Sequence, residues 1–133
     1  MTGIRCTHLD HCSILITDVA AARRFYGDTL GLKEIPAPAA FDFVALWFDL
    51  GHGTLHLLRK DEPDTHSPRH FCLHVEDSAE VRKYLAAKGV PLEETVPIPG
   101  CDRFFVYDSD GNRIEILQWF RPYDPATDGR FAA

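Results

Sequence analysis

The sequence predicts an α+β protein of two similar halves, each reading as a strand, a helix and three further strands. The first observation behind this is an internal repeat: sliding the chain by 59 residues lays His11 on His70, Asp18 on Asp77, Arg23 on Arg82, Asp49 on Asp108 and Leu58 on Leu117. Over the 48 positions from 11 to 58 there are eight identities, against roughly three by chance, so the order of element types has to decide the matter. The second observation is that both halves open alike. His11-CSILIT-Asp18 and His70-FCLHVE-Asp77 alternate with period two and end in Asp, a residue that caps a helix by accepting orphan backbone N–H bonds. The third is a glycine-bearing turn late in each half, Gly51-His52-Gly53 and Asp110-Gly111-Asn112, placed as a hairpin needs it.

The elements can be taken in chain order. Val19 to Leu30 carries Val19, Ala22, Phe25, Tyr26 and Leu30 at helical spacing, and Ser78 to Lys88 carries Val81, Tyr84, Leu85 and Lys88. Gly31 and Gly89 stop these helices, since glycine readily takes the left-handed conformation after a last turn. A short strand comes next in each half, Lys33 to Ile35 and Leu92 to Val96. A strand ending in Asp49 or Asp108 comes after it, then the turn and a closing strand. Module one therefore spans about 7–60 and module two about 70–119, joined by the Pro-rich, charged linker Asp61 to Arg69 within one domain of 133 residues. Residues 120–133 form a tail, ordered where it packs on something.

Composition narrows the function classes. With 14 basic against 20 acidic residues and a net charge of −6, the chain lacks the clustered Lys and Arg that bind a phosphate backbone, so no nucleic-acid partner is expected. No apolar run approaches the eighteen or so residues of a membrane helix, and the first residues lack the apolar core of a signal peptide. A cytoplasmic protein with no membrane partner is the expectation. The four cysteines, Cys6, Cys12, Cys72 and Cys101, fit no CxxC spacing and read as free thiols.

Strand parity gathers the chemistry. If the helices cover Cys12, Ile14 and Ile16 in one half and Phe71, Leu73 and Val75 in the other, then His11, Ser13, His70, Cys72 and His74 point to the opposite face. Leu55, Leu57, Ile114 and Ile116 form the apolar face of the closing strands, which sends His56 and Glu115 to that same side. His11 with His70 and His56 with Glu115 are repeat-equivalent pairs, so a pseudo-twofold axis would bring all four around one centre. Three imidazoles and a carboxylate suit Zn, Ni, Fe(II), Co or Mn rather than Ca or Mg. His70 and His74 lie about 13 Å apart along a strand, too far to share an ion, which leaves His74 as a pocket residue. His8, His52 and His66 fall in turns or at ends and read as ordinary exposed histidines.

The segments LDHCSILITDVAAARRFYGDTLGLKE and FFVYDSDGNRIEILQ resemble the vicinal oxygen chelate superfamily, which includes glyoxalase I, fosfomycin-resistance thiol transferases, methylmalonyl-CoA epimerases, extradiol dioxygenases and bleomycin-binding proteins. The likeness covers roughly residues 7 to 119. It implies a cupped mixed sheet of paired βαβββ modules with helices on the outer face, holding one divalent metal whose substrate binds through one or two adjacent oxygens. By position His11, His70 and Glu115 match the metal triad of the dioxygenases and fosfomycin enzymes, and His56 stands at the fourth, glyoxalase-type position. Glyoxalases usually carry Glu or Gln there. Two-module members commonly complete their cups across a subunit interface, so a homodimer is implied, with Trp47, Trp119 and Phe120 as apolar material for it.

Pocket residues are read from the same parity. Arg103, Phe105 and Tyr107 alternate with Phe104 and Val106, and the 59-residue repeat equates them with Val44, Leu46 and Phe48. Arg103, Phe105, Tyr107, Phe48 and Ser13 are accordingly expected to line the substrate site, with Arg103 clamping an anionic group. The leading functional expectation is a metal-dependent lyase or isomerase of glyoxalase type acting on a small oxygenated metabolite, with Glu115 or His74 shuttling the proton. Fe(II) dioxygenase chemistry and a metal-free drug-binding module are the alternatives.

Overall fold

The computed structural model describes residues 2–132. They form two sheets. The first holds β1 (His11–Ile16), β2 (Lys33–Ile35), β3 (Ala45–Asp49) and β4 (Thr54–Arg59) in the order β1-β4-β3-β2. The second holds β5 (Phe71–His74), β6 (Cys101–Tyr107) and β7 (Arg113–Trp119) in the order β5-β7-β6. In each sheet the opening strand runs parallel to the closing strand, and the hairpin is antiparallel. The expected α+β architecture of two strand–helix–strand modules is the one observed. Two compact units divide the chain, Met1–His66 with Ser109–Asn112, and Ser67–Asp108 with Arg113–Ala133.

The turn of the second hairpin thus belongs to the first unit. Asp110 accepts from the Thr17 backbone N–H at 3.0 Å and from its hydroxyl at 2.6 Å, and the Asn112 amide donates to the Leu15 carbonyl at 2.7 Å. These bonds satisfy backbone groups at the C-terminal end of β1 that no strand pairs.

Both helices start where the capping aspartates place them. Asp18 accepts from Ala21 N–H, and Asp77 accepts from Glu80 N–H, each at 3.1 Å. Helix α2 (Ser78–Ala87) is regular, whereas α1 (Val19–Ala22) passes into a π-helical segment, Arg23–Thr29. Gly31 follows Asp18 by thirteen positions and Gly89 follows Asp77 by twelve, so the first helix must absorb one extra residue. A π turn does this, closing on the bond from Leu30 N–H to the Phe25 carbonyl at 2.8 Å. Gly31 and Gly89 then end the helices at φ 75° and 77°.

That extra residue displaces β2 and β3 by one position relative to their mates in the second half. Between helix and hairpin the true offset of the repeat is 58, so Trp47, not Leu46, corresponds to Phe105. The pairings agree: Ile35 pairs with Trp47 in the first half, and Glu93 bridges Phe105 in the second. The second hairpin restores the offset to 59 because five residues separate Tyr107 from Arg113, where four separate Asp49 from Thr54. The expected strand Leu92 to Val96 is reduced to that single bridge. Pro91 and Pro97 flank it, and proline has no N–H to extend a ladder.

The cores lie on the helix-facing sides. Tyr26, Phe48, Leu55 and Leu57 are fully buried in the first unit, with Phe48 packed 6.0 Å from the Tyr26 ring. In the second, Phe104, Val106, Ile114 and Leu85 are buried, and the Arg82 guanidinium of α2 lies 4.4 Å over the Phe104 ring. Arg82 also makes paired bonds to Asp102, at 2.8 and 3.1 Å, and to Glu94. The tail carries a short helix, α3 (Pro125–Asp128), capped by Asp124 and tied by the Arg121–Asp128 ion pair at 2.7 Å. All four cysteines are free. Among the described residues no helix is long and apolar enough to cross a membrane.

Candidate functional site

In the first unit, register places Ser13 and Trp47 on either side of His56, and His11 beside Thr54, so all five side chains share the face away from the helix. The rings form a column. Trp47 stacks on His56 with centroids 3.7 Å apart and planes 8° from parallel, and His56 stacks on His11 at 4.1 Å. His11 Nδ1 lies 2.8 Å from the Asp10 carboxylate, which accepts its proton and leaves Nε2 with a free lone pair. The same hydrogen bond holds the Asp10 carboxyl below its usual range. His56 Nε2 is 2.7 Å from the Thr54 hydroxyl. Burial lowers the His56 pKa and favours the neutral ring that a metal ligand requires.

The second unit presents the other pair. His70 Nε2 stands 3.0 Å from Glu115 Oε1, and His70 Nδ1 is 2.8 Å from the Pro68 carbonyl. A carbonyl only accepts, so Nδ1 carries the proton and a neutral His70 turns a lone pair toward a carboxylate oxygen. Two acceptors in contact require a positive centre, either a proton or a metal ion. The 3.0 Å spacing is that of a hydrogen-bonded pair, and an imidazole with a carboxylate is also a donor set that a divalent cation accepts. Phe105 meets His70 edge-on at 5.0 Å and fixes the ring plane.

The other expected pocket residues sort themselves by register. Arg103 and Tyr107 share the face of Glu115 as parity required, opposite Phe104 and Val106. Arg103 does not stand free for an anion: Nε and Nη2 donate to the Val96 carbonyl at 3.1 and 2.7 Å, and Nη1 donates to Glu115 Oε2 at 3.3 Å. Tyr107 donates to Glu93 at 2.9 Å. Phe105 is buried beneath the Arg113 guanidinium, 3.5 Å from its ring, so it supports His70 rather than forming an open wall. His74 is exposed, and its Nε2 accepts from the Trp119 N–H at 3.3 Å, which occupies the lone pair a base would use. Cys72 pairs with Glu115 across β5 and β7 and is exposed, yet partial desolvation by its neighbours, with the nearby carboxylate second, pushes its thiol up to about 12.

Phe48 is the clear correction. It is 0% exposed on the helix side, because the constant 59-residue offset misplaces β3 by one position and a one-residue slip exchanges the faces of a strand. Trp47 takes the place expected for it. The unequal spacing from capping Asp to stopping Gly was the available signal. The four expected ligands are brought together as two pairs, His11 with His56 and His70 with Glu115. Among the described residues no group of three or more His, Cys, Asp or Glu is arranged to hold a metal ion.

Residues 8–116 match the family model described as the Glyoxalase/Bleomycin resistance protein/Dioxygenase superfamily. The chain belongs to this superfamily. Solved structures resemble it over nearly their full length. A glyoxalase family protein from Bacillus anthracis is 26% identical, with a TM-score of 0.82 over 89% of this chain and 99% of that one. Lactoylglutathione lyase from Agrobacterium tumefaciens is 21% identical, with a TM-score of 0.68 over 85% and 94%. The antibiotic-binding protein TnmS3 from Streptomyces sp. CB03234 is 20% identical, with a TM-score of 0.71 over 88% and 99%. At such identities the last two share the fold with this glyoxalase-superfamily chain and nothing narrower. No curated protein matches it significantly.

Proposed function

We propose that this protein is a divalent-metal-dependent lyase or isomerase of glyoxalase type, acting on a small oxygenated metabolite, with His11, His56, His70 and Glu115 as the metal donors. The observation that carries the reading is the contact of His70 Nε2 with Glu115 Oε1 at 3.0 Å while His70 Nδ1 is committed to the Pro68 carbonyl. His11 has the matching form of a ligand, with its distal nitrogen oriented by a carboxylate, as metal-bound histidines commonly are. When bound, the metal supplies Lewis-acid polarisation of a carbonyl or enediolate oxygen.

The chain's own groups do the rest. Glu115 is the residue placed to take and return a substrate proton, on a carboxylate lone pair that its contacts with His70 and Arg103 leave unused. Phe105 and the Pro68 carbonyl keep His70 in one orientation, and the Trp47 stack does the same for His56. Ser13, beside His56, offers a hydroxyl to substrate oxygen.

Metal content of protein purified without chelator or added metal tests the reading. About one Zn, Ni, Co, Mn or Fe per chain is expected, falling close to zero in the doubly substituted His11→Ala, His70→Ala protein. Equal metal in that variant and the wild type would refute the assignment, and Fe specifically would favour oxygen-dependent chemistry. A metal-free binding module is the second reading. It is favoured by Phe41 and Phe43, exposed and stacked at 4.5 Å, with Phe41 6.2 Å from Trp47, an aromatic surface for a planar ligand.

A further inference from the structure

Glu115 is buried, with 9% of its side chain exposed, and Arg103 beside it is 15% exposed. Such an ion pair persists only if its geometry is fixed. Here it is fixed from behind. Nε and Nη2 of Arg103 fork onto a single acceptor, the Val96 carbonyl, which sets the plane of the guanidinium and directs Nη1 at Glu115 Oε2. Val96 lies in the segment after Glu93, itself held to Phe105 by two backbone bonds of 2.8 and 2.9 Å. The two oxygens of Glu115 are thereby made unequal. Oε2 faces a permanent cation and Oε1 faces His70 Nε2.

We propose that Arg103 is the positioning residue of the proposed metal centre: it occupies Oε2, so that Glu115 meets a cation at His70 through Oε1 alone, and it cancels the carboxylate charge. This rests on the metal reading above. The cancelled charge has a consequence for substrate. A divalent ion held at His70 by an imidazole and a carboxylate already balanced by a guanidinium keeps close to its full double charge, and a chelating dianion restores neutrality better than a neutral diol or ketone. The site is thereby matched to small chelating anions, with Arg103 acting through Glu115 rather than by gripping the substrate.

The test uses the whole chain as wild type, Arg103→Met and Arg103→Lys, titrated with Co(II) alone and then, once loaded, with oxalate as a chelating dianion. Removing the guanidinium is expected to tighten Co(II) binding roughly tenfold, to change the cobalt visible spectrum as Oε2 becomes available, and to weaken oxalate by about the same factor. Lysine keeps the charge but cannot fork onto Val96 while reaching Glu115. Its Co(II) and oxalate affinities are expected to stay within about twofold of wild type while its spectrum shifts. Should Arg103→Met fail to fold, the lysine spectrum decides, an unshifted band refuting the positioning role. Wild-type binding of Co(II) with all three proteins indistinguishable overturns this proposal and leaves the metal reading standing. Absence of Co(II) binding by the folded wild type overturns both.

Discussion

Replacing Glu115 by Gln separates charge from hydrogen bonding at one buried position. The amide offers one acceptor and one donor where the carboxylate offers two acceptors. Its oxygen can take the bond from Arg103 Nη1, now to a neutral partner, at a loss of about 1 kcal/mol for a contact that is already long at 3.3 Å. Its NH₂ can donate to His70 Nε2, so that contact remains a hydrogen bond. Only the Arg103 contact weakens, so Glu115→Gln should unfold within about 1 kcal/mol of wild type at pH 7. Glu115→Leu satisfies neither neighbour. Arg103 keeps its bonds to Val96, which limits the damage, and a loss of about 2 to 4 kcal/mol is expected. Both variants should lose metal. Urea denaturation of the metal-free proteins reads the stabilities, and titration with Zn(II) or Co(II) reads the binding. If Glu115→Gln is as unstable as Glu115→Leu, the Arg103–Glu115 charge pair supports the fold, and the donor–acceptor argument at His70 is wrong. If Glu115→Gln binds metal like wild type, the carboxylate is no ligand.

Three further outcomes are expected. Phe48→Ala should cost about 3 to 5 kcal/mol as a core cavity, whereas Trp47→Leu should cost less and register mainly in metal or ligand binding at His56; equal behaviour would refute the assigned faces. Arg82→Met should destabilise by about 2 to 3 kcal/mol, chiefly through Asp102, since Glu94 is too exposed to add much. Arg82 depresses the folded-state pKa of Asp102, so the stabilisation is present above the unfolded value of about 3.9 and lost as pH falls through the folded value. The gap between the two proteins should close on acidification, and a gap unchanged at pH 2 would assign the effect to packing on Phe104. The chain is also expected to run as a homodimer in light scattering at micromolar concentration, with Phe120, 66% exposed, near the interface; a monomeric mass refutes this.

Much of the molecule was legible because its signals are local. Capping Asp18 and Asp77, stopping Gly31 and Gly89, and alternation along β1 and β5 each depend on a few neighbouring residues, and each is found where the sequence placed it. What failed was the transfer of one repeat onto the other at a constant offset. One extra residue in the first helix, absorbed by a π turn, and one extra in the second hairpin cancel over the whole module. His11, His56, His70 and Glu115 therefore align correctly at both ends, while β3, lying between the two insertions, is read on the wrong face. Arg103 escaped for another reason: its orientation was legible by parity, but the acceptor that holds it, the Val96 carbonyl, belongs to a segment whose strand pairing proline had cut to one bridge.

The compensating insertions also bear on chemistry, because they preserve the repeat positions of the four proposed donors while allowing their surroundings to diverge. His56 stacks with Trp47 and His11 and is held toward neutrality by burial. Its repeat mate Glu115 lies instead between His70 and a guanidinium. Indole against imidazole protects a neutral donor, and arginine against carboxylate balances a charged one. Exchanging the pair, His56→Glu with Glu115→His, would put a carboxylate against an indole that offers it no cation and an imidazole against an unpaired guanidinium. The swapped protein, with an unchanged donor inventory, is expected to bind Co(II) at least tenfold more weakly. Equal affinity would mean that the donors alone, and not the side chains around them, set the site.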